Sequence, residues 1–461
     1  MRRDKSRACV YACAIIYYIS MIAVSFARAA HGTREFMKPR IEPYGCIEIG
    51  TGAIKVAIGT VREDDTLDIQ ALATRPSLKM LRGEPTNPAI VSEQLVQAME
   101  DARLRAGLKE FPRQTALLLS GGYIRPQILR RKVEVPDNEA ISAELQEKLF
   151  RENCVEAMAR DTESEHVLNT IVERLMRLDN DRIVFSATGL YAVQAELESY
   201  YFLYSDNSFQ SFASVVTQTG YPWQQVRSVL YAPLAVASAI FPPSHSDECL
   251  GLVIDIGGGV TSVVMPAGPG YVACEQLLVG CDNIANDISI VMDVDMGTAR
   301  RILNEMSTLK LTAIPNGDGN SRTVDLVSHG PEGEPVHRLT SADMLEQIIH
   351  ARLQETFELV KERLEALDAF DFIGNEVLLS GGGALIPRVT ELASQVFCRK
   401  AKVAQSYRVA WPEGIGEDPR NIAVAGLMRA FHKLMTLREA QGGDGWGLFG
   451  KIKDMIRVLK W

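Results

Sequence analysis

Two absences restrict what this chain can be. Its eight cysteines are scattered and include no Cys-x-x-Cys pair, so the sequence predicts neither a disulfide framework nor a zinc site. Cationic residues are in the minority: 49 lysines and arginines stand against 58 acidic residues, a net charge of −9, which argues against a general nucleic-acid-binding protein. A chain of 461 residues, 46% of them hydrophobic, is long enough for two or more soluble domains with full cores.

Residues 1–36 do not fit a cytosolic protein. The basic start Met1–Arg7 is followed by the uncharged run Ala8–Phe26, and Ala27–Ala29 looks like a cleavage site. Taken literally, this is a secretory signal peptide or, less readily, a membrane anchor, and either would direct the body of the protein out of the cytoplasm. A start at Met37 would place the first strand only a few residues in. We favour such an over-extended reading frame over export.

The stretch from Gly251 to Met265 predicts a β-hairpin with an unusual turn. An apolar strand ends at Asp255, three glycines follow at 257–259, and a second apolar strand begins. Glycines leave backbone N–H groups bare, and such amides can cradle a phosphate. A carboxylate at the strand end could hold Mg²⁺ through water. Taken alone, the turn could equally be an ordinary hairpin with a solvated aspartate.

Two further glycine elements strengthen the phosphate interpretation. Cys46–Gly59 repeats the plan of strand, acidic residue, glycine turn and strand, and Val377–Pro387 joins a strand to a helix-like run through three glycines. One such turn is weak evidence, but three in this order indicate two similar domains closing on one nucleotide. The predicted nucleotide-binding residues are Gly50, Thr51, Gly52, Lys55, Gly257, Gly258, Gly259, Val260, Gly381, Gly382 and Gly383, and the predicted Mg²⁺ residues are Glu48 and Asp255.

With these three elements, the chain resembles the actin-like ATPase superfamily and, within it, the FtsA family of bacterial cell-division proteins. The resemblance covers about residues 41–461. It implies an α/β fold of two duplicated domains around a nucleotide cleft, with an inserted subdomain and a C-terminal amphipathic helix. It also implies ATP and Mg²⁺ as cofactors, the two hairpins gripping the β- and γ-phosphates and the third element packing on the adenosine.

The resemblance divides the chain into the following segments. The first domain comprises residues 37–120 and 206–246, interrupted by the insert 121–205; the second has a core of 247–282 and 371–436 and carries a subdomain at 283–370; a flexible linker, 437–445, leads to a helix at 446–461. In the family the insert makes subunit contacts, and the subdomain corresponding to 283–370 binds a peptide.

Apolar periodicity and turn residues predict several further elements. A helix is expected to begin at Ser92, residues 209–240 to form two helices joined at Gly220–Trp223, and residues 311–340 to form exposed hairpin loops. A long amphipathic helix is expected over Ser341–Leu367. Its predicted apolar stripe is Met344, Ile348, Leu353, Phe357, Val360 and Leu364.

At several positions the chain departs from the family's pattern. Glu48 and Ser262 stand where the family has aspartate, and Val260 stands where it has threonine. Each loss should weaken nucleotide binding by roughly 1–3 kcal/mol if the lost group was a buried partner. Tyr231–Ala232 occupy the place where chaperone relatives carry a water-positioning acid, so no catalytic residue is assigned and efficient hydrolysis is not expected. On the nucleoside side the departures are Cys281, Arg300 and Leu303.

Residues 446–461 predict an interfacial helix. The segment is too short and too charged to span a bilayer, and four basic residues against one Asp454 suit anionic lipid, each basic residue contributing about 1 kcal/mol. A helix docked on the core is the alternative, but it would not need the glycine-rich linker before it. The predicted membrane-binding residues are Trp446, Leu448, Phe449, Ile452, Met455, Ile456 and Leu459, with Lys451, Lys453 and Arg457.

The family resemblance implies a cell-division protein that binds ATP, self-associates into filaments and tethers the FtsZ ring to the cytoplasmic face of the inner membrane at the division site. The implied partners are the C-terminal peptide of FtsZ at residues 283–370, anionic lipid, and other divisome proteins. The alternative is a PilM-like protein of type IV pilus assembly that binds a membrane-partner peptide. An MreB-like filament lacks this insert, and a small-molecule kinase would need a catalytic carboxylate that the sequence does not show.

Overall fold

A computed structural model describes residues 42–136, 139–168, 170–179, 182–242, 251–268, 270–307, 314–315, 322–329 and 335–440. The predicted leader at 1–36 and the predicted lipid-binding helix at 446–461 lie outside these residues. Within the described ranges, no helix is both long enough and apolar enough to cross a membrane.

The strands, numbered in chain order, fall into five sheets. They are β1 (Tyr44–Ile49), β2 (Ala53–Val61), β3 (Leu67–Pro76), β4 (Met80–Leu81), β5 (Glu84–Pro85), β6 (Thr115–Leu119), β7 (Ile124–Glu134), β8 (Glu165–Val167), β9 (Val172–Leu178), β10 (Arg182–Val184), β11 (Gln194–Ser205), β12 (Val226–Tyr231), β13 (Leu252–Ile256), β14 (Thr261–Ala267), β15 (Gly270–Leu277), β16 (Ile314–Pro315), β17 (Arg322–His329), β18 (Pro335–Ser341), β19 (Glu376–Ser380), β20 (Lys400–Val403) and β21 (Val409–Ala410).

The α-helices cover the faces of these sheets. They are α1 (Pro88–Arg105), α2 (Ala143–Met158), α3 (Asp206–Gln218), α4 (Ala232–Ile240), α5 (Cys281–Met292), α6 (Met296–Ser307), α7 (Ala342–Ala366), α8 (Val389–Phe397) and α9 (Ile422–Ala440). Short 3-10 turns occur at Trp223–Gln225, Phe370–Phe372, Gly382–Leu385 and Pro419–Asn421.

Two mixed sheets with matching hairpins form the body of the protein. The first has the order β12-β6-β1-β2-β3-β21, and the second has the order β15-β14-β13-β19-β20. In each sheet an antiparallel glycine hairpin, β1–β2 or β13–β14, is followed across the sheet by a parallel strand, β6 or β19. The predicted duplication of one domain plan is therefore present in the fold.

A layer of two helices, α4 and α9, joins the two sheets. Their small side chains share one core with residues of both sheets, for example Cys46 of β1 and Val253 of β13. The helices cross so closely that a Cβ on Gly426 of α9 would overlap the carbonyl oxygen of Ala235 in α4. Only glycine permits this close approach of the two helices. The close helix packing in turn fixes the relative position of the two domains.

The insert forms its own sheet, β10-β9-β11-β7, with β8 paired to β11 and α2 packed beside it. Besides joining the first domain, it packs on the second. The guanidinium of Arg174 (β9) is buried and donates to Glu198, to the carbonyl of Val272 in β15 (3.0 Å) and to the carbonyl of Leu367 beyond α7. Arg130 and Arg177 also donate to Glu198, and together these cations hold its pKa below the ordinary value although burial alone would raise it.

Three local predictions are wrong. The first helix begins at Pro88 and not at Ser92, because the Asn87 side chain caps it and proline suits a first helical position. Residues 209–240 contain strand β12 between the two helices, since Val226–Tyr231 pairs with β6 in the sheet. In 311–340 the described residues form paired strands, β16 to β18, in place of loops.

The long helix and the linker differ from expectation in detail. Helix α7 is present close to the predicted bounds, and the side chain of Ser341 caps it. Of the predicted apolar stripe, however, Met344 is exposed and Ile348 only half-buried. The adjacent residues Leu345 and Ile349 are buried, so the apolar stripe is shifted by one position in the first turns. Helix α9 extends to Ala440. It therefore includes residues 437–440, which the sequence assigns to the flexible linker 437–445.

Glu173 in β9 supplies a pH-dependent element at the contact between the insert and β15. Its side chain is buried, accepts a 2.8 Å hydrogen bond from Gln146, and leaves its other oxygen without a partner among the described residues. Burial raises the pKa of Glu173 to about 7. Between pH 4.5 and 7 the folded chain thus holds a proton that the unfolded chain has released, so this group's contribution to stability is lost as pH rises.

We expect Glu173→Gln to be more stable than the parent at pH 8 by about 2–3 kcal/mol, because the neutral amide keeps the bond from Gln146 without a buried charge. The difference should vanish near pH 4. Urea denaturation at both pH values measures it, with the exposed Glu163→Gln as the control. Equal gains at pH 4 and pH 8 would contradict the assignment.

Candidate nucleotide site

The two glycine hairpins close in the same way. In the first, the Gly50 amide donates to the carbonyl of Ala53 at 3.0 Å; in the second, the Gly257 amide donates to the carbonyl of Val260 at 2.9 Å. Each turn thus projects beyond the end of its sheet with the same backbone closure. Both lie at the ends of buried strands, as the sequence predicts.

The tips of the two turns touch each other backbone to backbone. A Cβ on Gly258 would lie 2.8 Å from the amide nitrogen of Gly52, closer than real Cβ contacts allow. A Cβ on Gly259 would lie 2.7 Å from the hydroxyl of Thr51. Glycine is therefore required at 258 and 259 by the approach of the first turn.

The third glycine element meets the second turn from the other side. Gly381 has a φ of +77°, and a Cβ there would lie 2.5 Å from the carbonyl oxygen of Ile256. A Cβ on Gly383 would lie 2.6 Å from the Cβ of Ile256 and 3.4 Å from the sulfur of Cys281. The structure thus brings together the three elements that are separated in sequence by about 200 and 120 residues.

Three charged side chains lie beside the turns. Lys55 and Glu48 form a 2.8 Å ion pair, with side chains only 10% and 15% exposed, and the second oxygen of Glu48 is buried without a partner among the described residues. Burial raises the pKa of Asp255 to about 6, and the nearby charge of Glu48 acts in the same direction, against a hydrogen bond with Ser380 and the charge of Lys55. Two carboxylates and one lysine thus share this site.

The turns carry backbone donors that the protein itself does not use. Among the described residues, the amides of Thr51, Gly52, Gly258 and Gly259 donate no hydrogen bond. The start of α5, in contrast, is occupied: Cys281 and its neighbour Asp282 donate their amides to the carbonyls of Gly257 and Gly258, at 3.0 and 2.8 Å. Bare amides at two glycine turns are suited to phosphate oxygens.

Sequence comparison identifies proteins to which this chain is similar. A family model described as "Cell division protein FtsA" matches residues 252–426. FtsA of Pseudomonas aeruginosa is 22% identical over 383 residues, 83% of this chain and 87% of the relative, and FtsA of Bacillus subtilis is 25% identical over 391 residues, 84% of this chain and 83% of the relative. The chain is thus similar to FtsA proteins over most of its length.

Comparison with solved structures concerns the fold. A solved structure of the PilM-PilN type IV pilus biogenesis complex is similar to the chain with a TM-score of 0.57, at 14% identity, over 86% of this chain and 99% of the other. At this identity the likeness concerns the fold alone. The predicted α/β architecture of the actin-like ATPases is confirmed.

Positions where this chain departs from the FtsA pattern have neighbours of their own in the structure. Val260 is buried, and Ser262 is buried against Gln276, whose amide also donates to Ser120 and accepts from the amide of Gly121. Ser262 thus takes part in a link between the domains. On the nucleoside side, Arg300 forms a two-pronged ion pair with Asp282 at 2.8 and 2.9 Å, and the side chain of Leu303 is buried.

Sequence reasoning missed one part of the site, the hairpin β4–β5. Its tip, Arg82–Gly83, contacts the first turn through a 2.8 Å bond from the Gly83 amide to the hydroxyl of Thr51, and contacts the loop at Ser120–Gly121. The sequence predicts only a loop there. The sequence feature that could have indicated this hairpin is the dipeptide Arg82–Gly83, because a glycine in a two-residue loop allows the two flanking segments to pair.

The neighbours Gly382 and Gly383 provide a matched test of the meeting point. We expect Gly383→Ala to lower the free energy of unfolding by about 1–3 kcal/mol, because its methyl group would collide with Ile256. Gly382→Ala meets nothing within 4 Å and should change it by less than about 0.5 kcal/mol. Urea denaturation of both variants decides the point, and equal effects would show that the third element does not pack here as described.

Proposed function

We propose that this chain is a cell-division protein that binds ATP between its two domains and uses a lipid-binding tail to tether the FtsZ ring to the membrane. The observation that carries the ATP proposal is the meeting of three glycine elements with bare amides at one point. Similarity to FtsA proteins supports a role in cell division. The nucleotide, the membrane and FtsZ are the parts that experiments must establish.

Magnesium fits the residues beside the turns. Within the described ranges, no cluster of three or more His, Cys, Asp or Glu residues is suited to a metal ion. Mg²⁺ commonly needs only one or two carboxylates, together with water and substrate phosphates. Glu48 and Asp255 would hold it, the buried free oxygen of Glu48 being one available ligand atom. The ion would neutralise phosphate charge.

The same site supports binding better than hydrolysis. The residue before α4 is Tyr231, which is fully buried and whose pKa burial raises well above the ordinary value. It can neither ionise nor reach an attacking water from the core. Lys55 is occupied by Glu48. We therefore propose a nucleotide-gated switch for self-association, with slow ATP turnover.

The remaining interactions rest on the family and on tail composition. Residues 446–461 would bind anionic lipid at the cytoplasmic face of the inner membrane, and the subdomain 283–370 would bind the C-terminal peptide of FtsZ at the division site, beside other divisome proteins. Filaments that present many tails would gain avidity without new contacts. A PilM-like role is less favoured, because the sequence relatives are FtsA proteins and the PilM likeness concerns fold alone.

We expect the protein to bind ATP with Mg²⁺, and Gly258→Ala to bind it at least tenfold more weakly, because the added methyl group forces the two turns apart. Isothermal titration calorimetry measures both affinities. Gly416→Ala, where a methyl group meets nothing within 4 Å, is the control. Absence of ATP binding by the parent chain would refute the nucleotide proposal.

We expect the full chain to pellet with vesicles containing anionic phospholipid and to remain in solution with purely zwitterionic vesicles, because the tail is basic and amphipathic. Removing residues 446–461 should abolish pelleting. A full-length variant with Lys451, Lys453 and Arg457 changed to Gln separates charge from apolar insertion. Equal pelleting of the full and shortened chains would refute the tether.

A further inference from the structure

The hairpin β4–β5 places an arginine at the meeting point of the glycine turns. Its two central residues, Arg82 and Gly83, both have positive φ, at +48° and +86°. Two such residues between short strands form the kind of turn that twists with the hairpin. The hairpin itself is small, Met80–Leu81 paired with Glu84–Pro85, so its tip is placed by what it touches.

Backbone contacts tie this tip to both turns. The Gly83 amide donates to the Thr51 hydroxyl at 2.8 Å in a buried bond, and a Cβ on Gly259 would lie 2.8 Å from the Cα of Arg82. Arg82 is thus adjacent to the first turn through its neighbour and to the second turn directly. Both of these turns carry amides, those of Thr51, Gly52, Gly258 and Gly259, that donate no hydrogen bond among the described residues.

The backbone at Arg82 is unfavourable for an arginine. Turns with two positive φ values strongly prefer Asn-Gly, Asp-Gly or Gly-Gly, because a Cβ is crowded in the left-handed region. A strained residue persists where its surroundings hold it in place, and such residues concentrate at functional sites. The tip is held by Thr51, Ser120 and Gly259.

The side chain of Arg82 is also free to act. It is exposed, and among the described residues it forms no ion pair and donates no hydrogen bond. Arg75, which lies opposite Ile54 in the β2–β3 pairing, forms an ion pair with Asp101. Lys55 does not supply a free positive charge, because Glu48 forms an ion pair with it at 2.8 Å. Among the described residues, Arg82 is therefore an unpaired cation next to the turns.

We propose that Arg82 binds the phosphate chain of the nucleotide and makes the site prefer a nucleoside triphosphate to a diphosphate. The inference rests on the proposed nucleotide site. Arginine offers several donors in a planar fork that matches phosphate oxygens, and its contribution grows with the charge of the ligand. Backbone amides bind both nucleotides, whereas this cation contributes most to the more highly charged one.

The variant Arg82→Gly distinguishes a role of Arg82 in phosphate binding from a purely structural role in the turn. Glycine suits the positive φ, so the melting temperature should stay equal or rise, while the cation is lost. Arg82→Lys keeps the charge without the fork. Lys79→Ala is the matched control, because Lys79 is an exposed cation at the base of the same hairpin, also at positive φ (+60°).

The experiment is titration calorimetry of the full-length parent and the three variants with ATP and with ADP, each with Mg²⁺, at low and high salt. For Arg82→Gly we expect roughly a tenfold loss of ATP affinity, a smaller loss for ADP, and a weaker salt dependence for ATP. Arg82→Lys should recover part of the ATP affinity, and Lys79→Ala should match the parent.

An unchanged ratio of ATP to ADP affinity in Arg82→Gly would overturn the proposal and leave Arg82 as a turn residue only. If the parent binds neither nucleotide, the proposed nucleotide site fails and this inference fails with it. If the parent binds both nucleotides and Arg82→Gly binds each of them as tightly as the parent does, the nucleotide site stands and only the role of Arg82 is lost. Melting curves of each variant exclude unfolding as the cause of lost affinity.

Discussion

The contact between Gly52 and Gly258 is the constraint on which the rest of the structure depends. The two hairpins, which come from different sheets, meet backbone to backbone here because residue 258 carries no side chain. Their meeting places bare amides from both domains at one point and brings Lys55, Glu48 and Asp255 beside them. The two tips leave no room between them, so the phosphates of the proposed nucleotide would lie beside the contact, or the tips would have to part.

Two other contacts between the domains limit how far the tips of the hairpins can move apart. Helices α4 and α9 cross at Gly426 and Ala235 with no space to spare, and closely packed layers shift in small steps. The insert adds a second attachment, because the buried guanidinium of Arg174 joins β9 to β15 and to the end of α7. Breaking that attachment would leave a buried charge without partners, which costs several kcal/mol. Small rotations about the helix layer are therefore the motions that the fold permits most readily.

The sequence predicts the parts of this site that repeat. Apolar strands ending in an acidic residue and glycines are visible at Glu48 and Asp255, because the pattern occurs twice. It does not predict β12, whose residues Val226–Tyr231 become a strand only by pairing with β6. Nor does it predict the roles of Gln276 and Arg82, since both depend on contacts between segments far apart in the chain. Tertiary contact, which no local pattern records, decides these cases.

The charges at the site favour holding a nucleotide over cleaving it. Cleavage needs a group that can orient or deprotonate water near the terminal phosphate. Burial, and after it the nearby charge of Glu48, raises the pKa of Asp255 to about 6, so a cation bound beside these carboxylates would be stabilised. Tyr231, at the position where a base could stand, is sealed in the core. Under the proposed function, the features that would weaken hydrolysis would also prolong the nucleotide-bound state, as a switch for self-association requires.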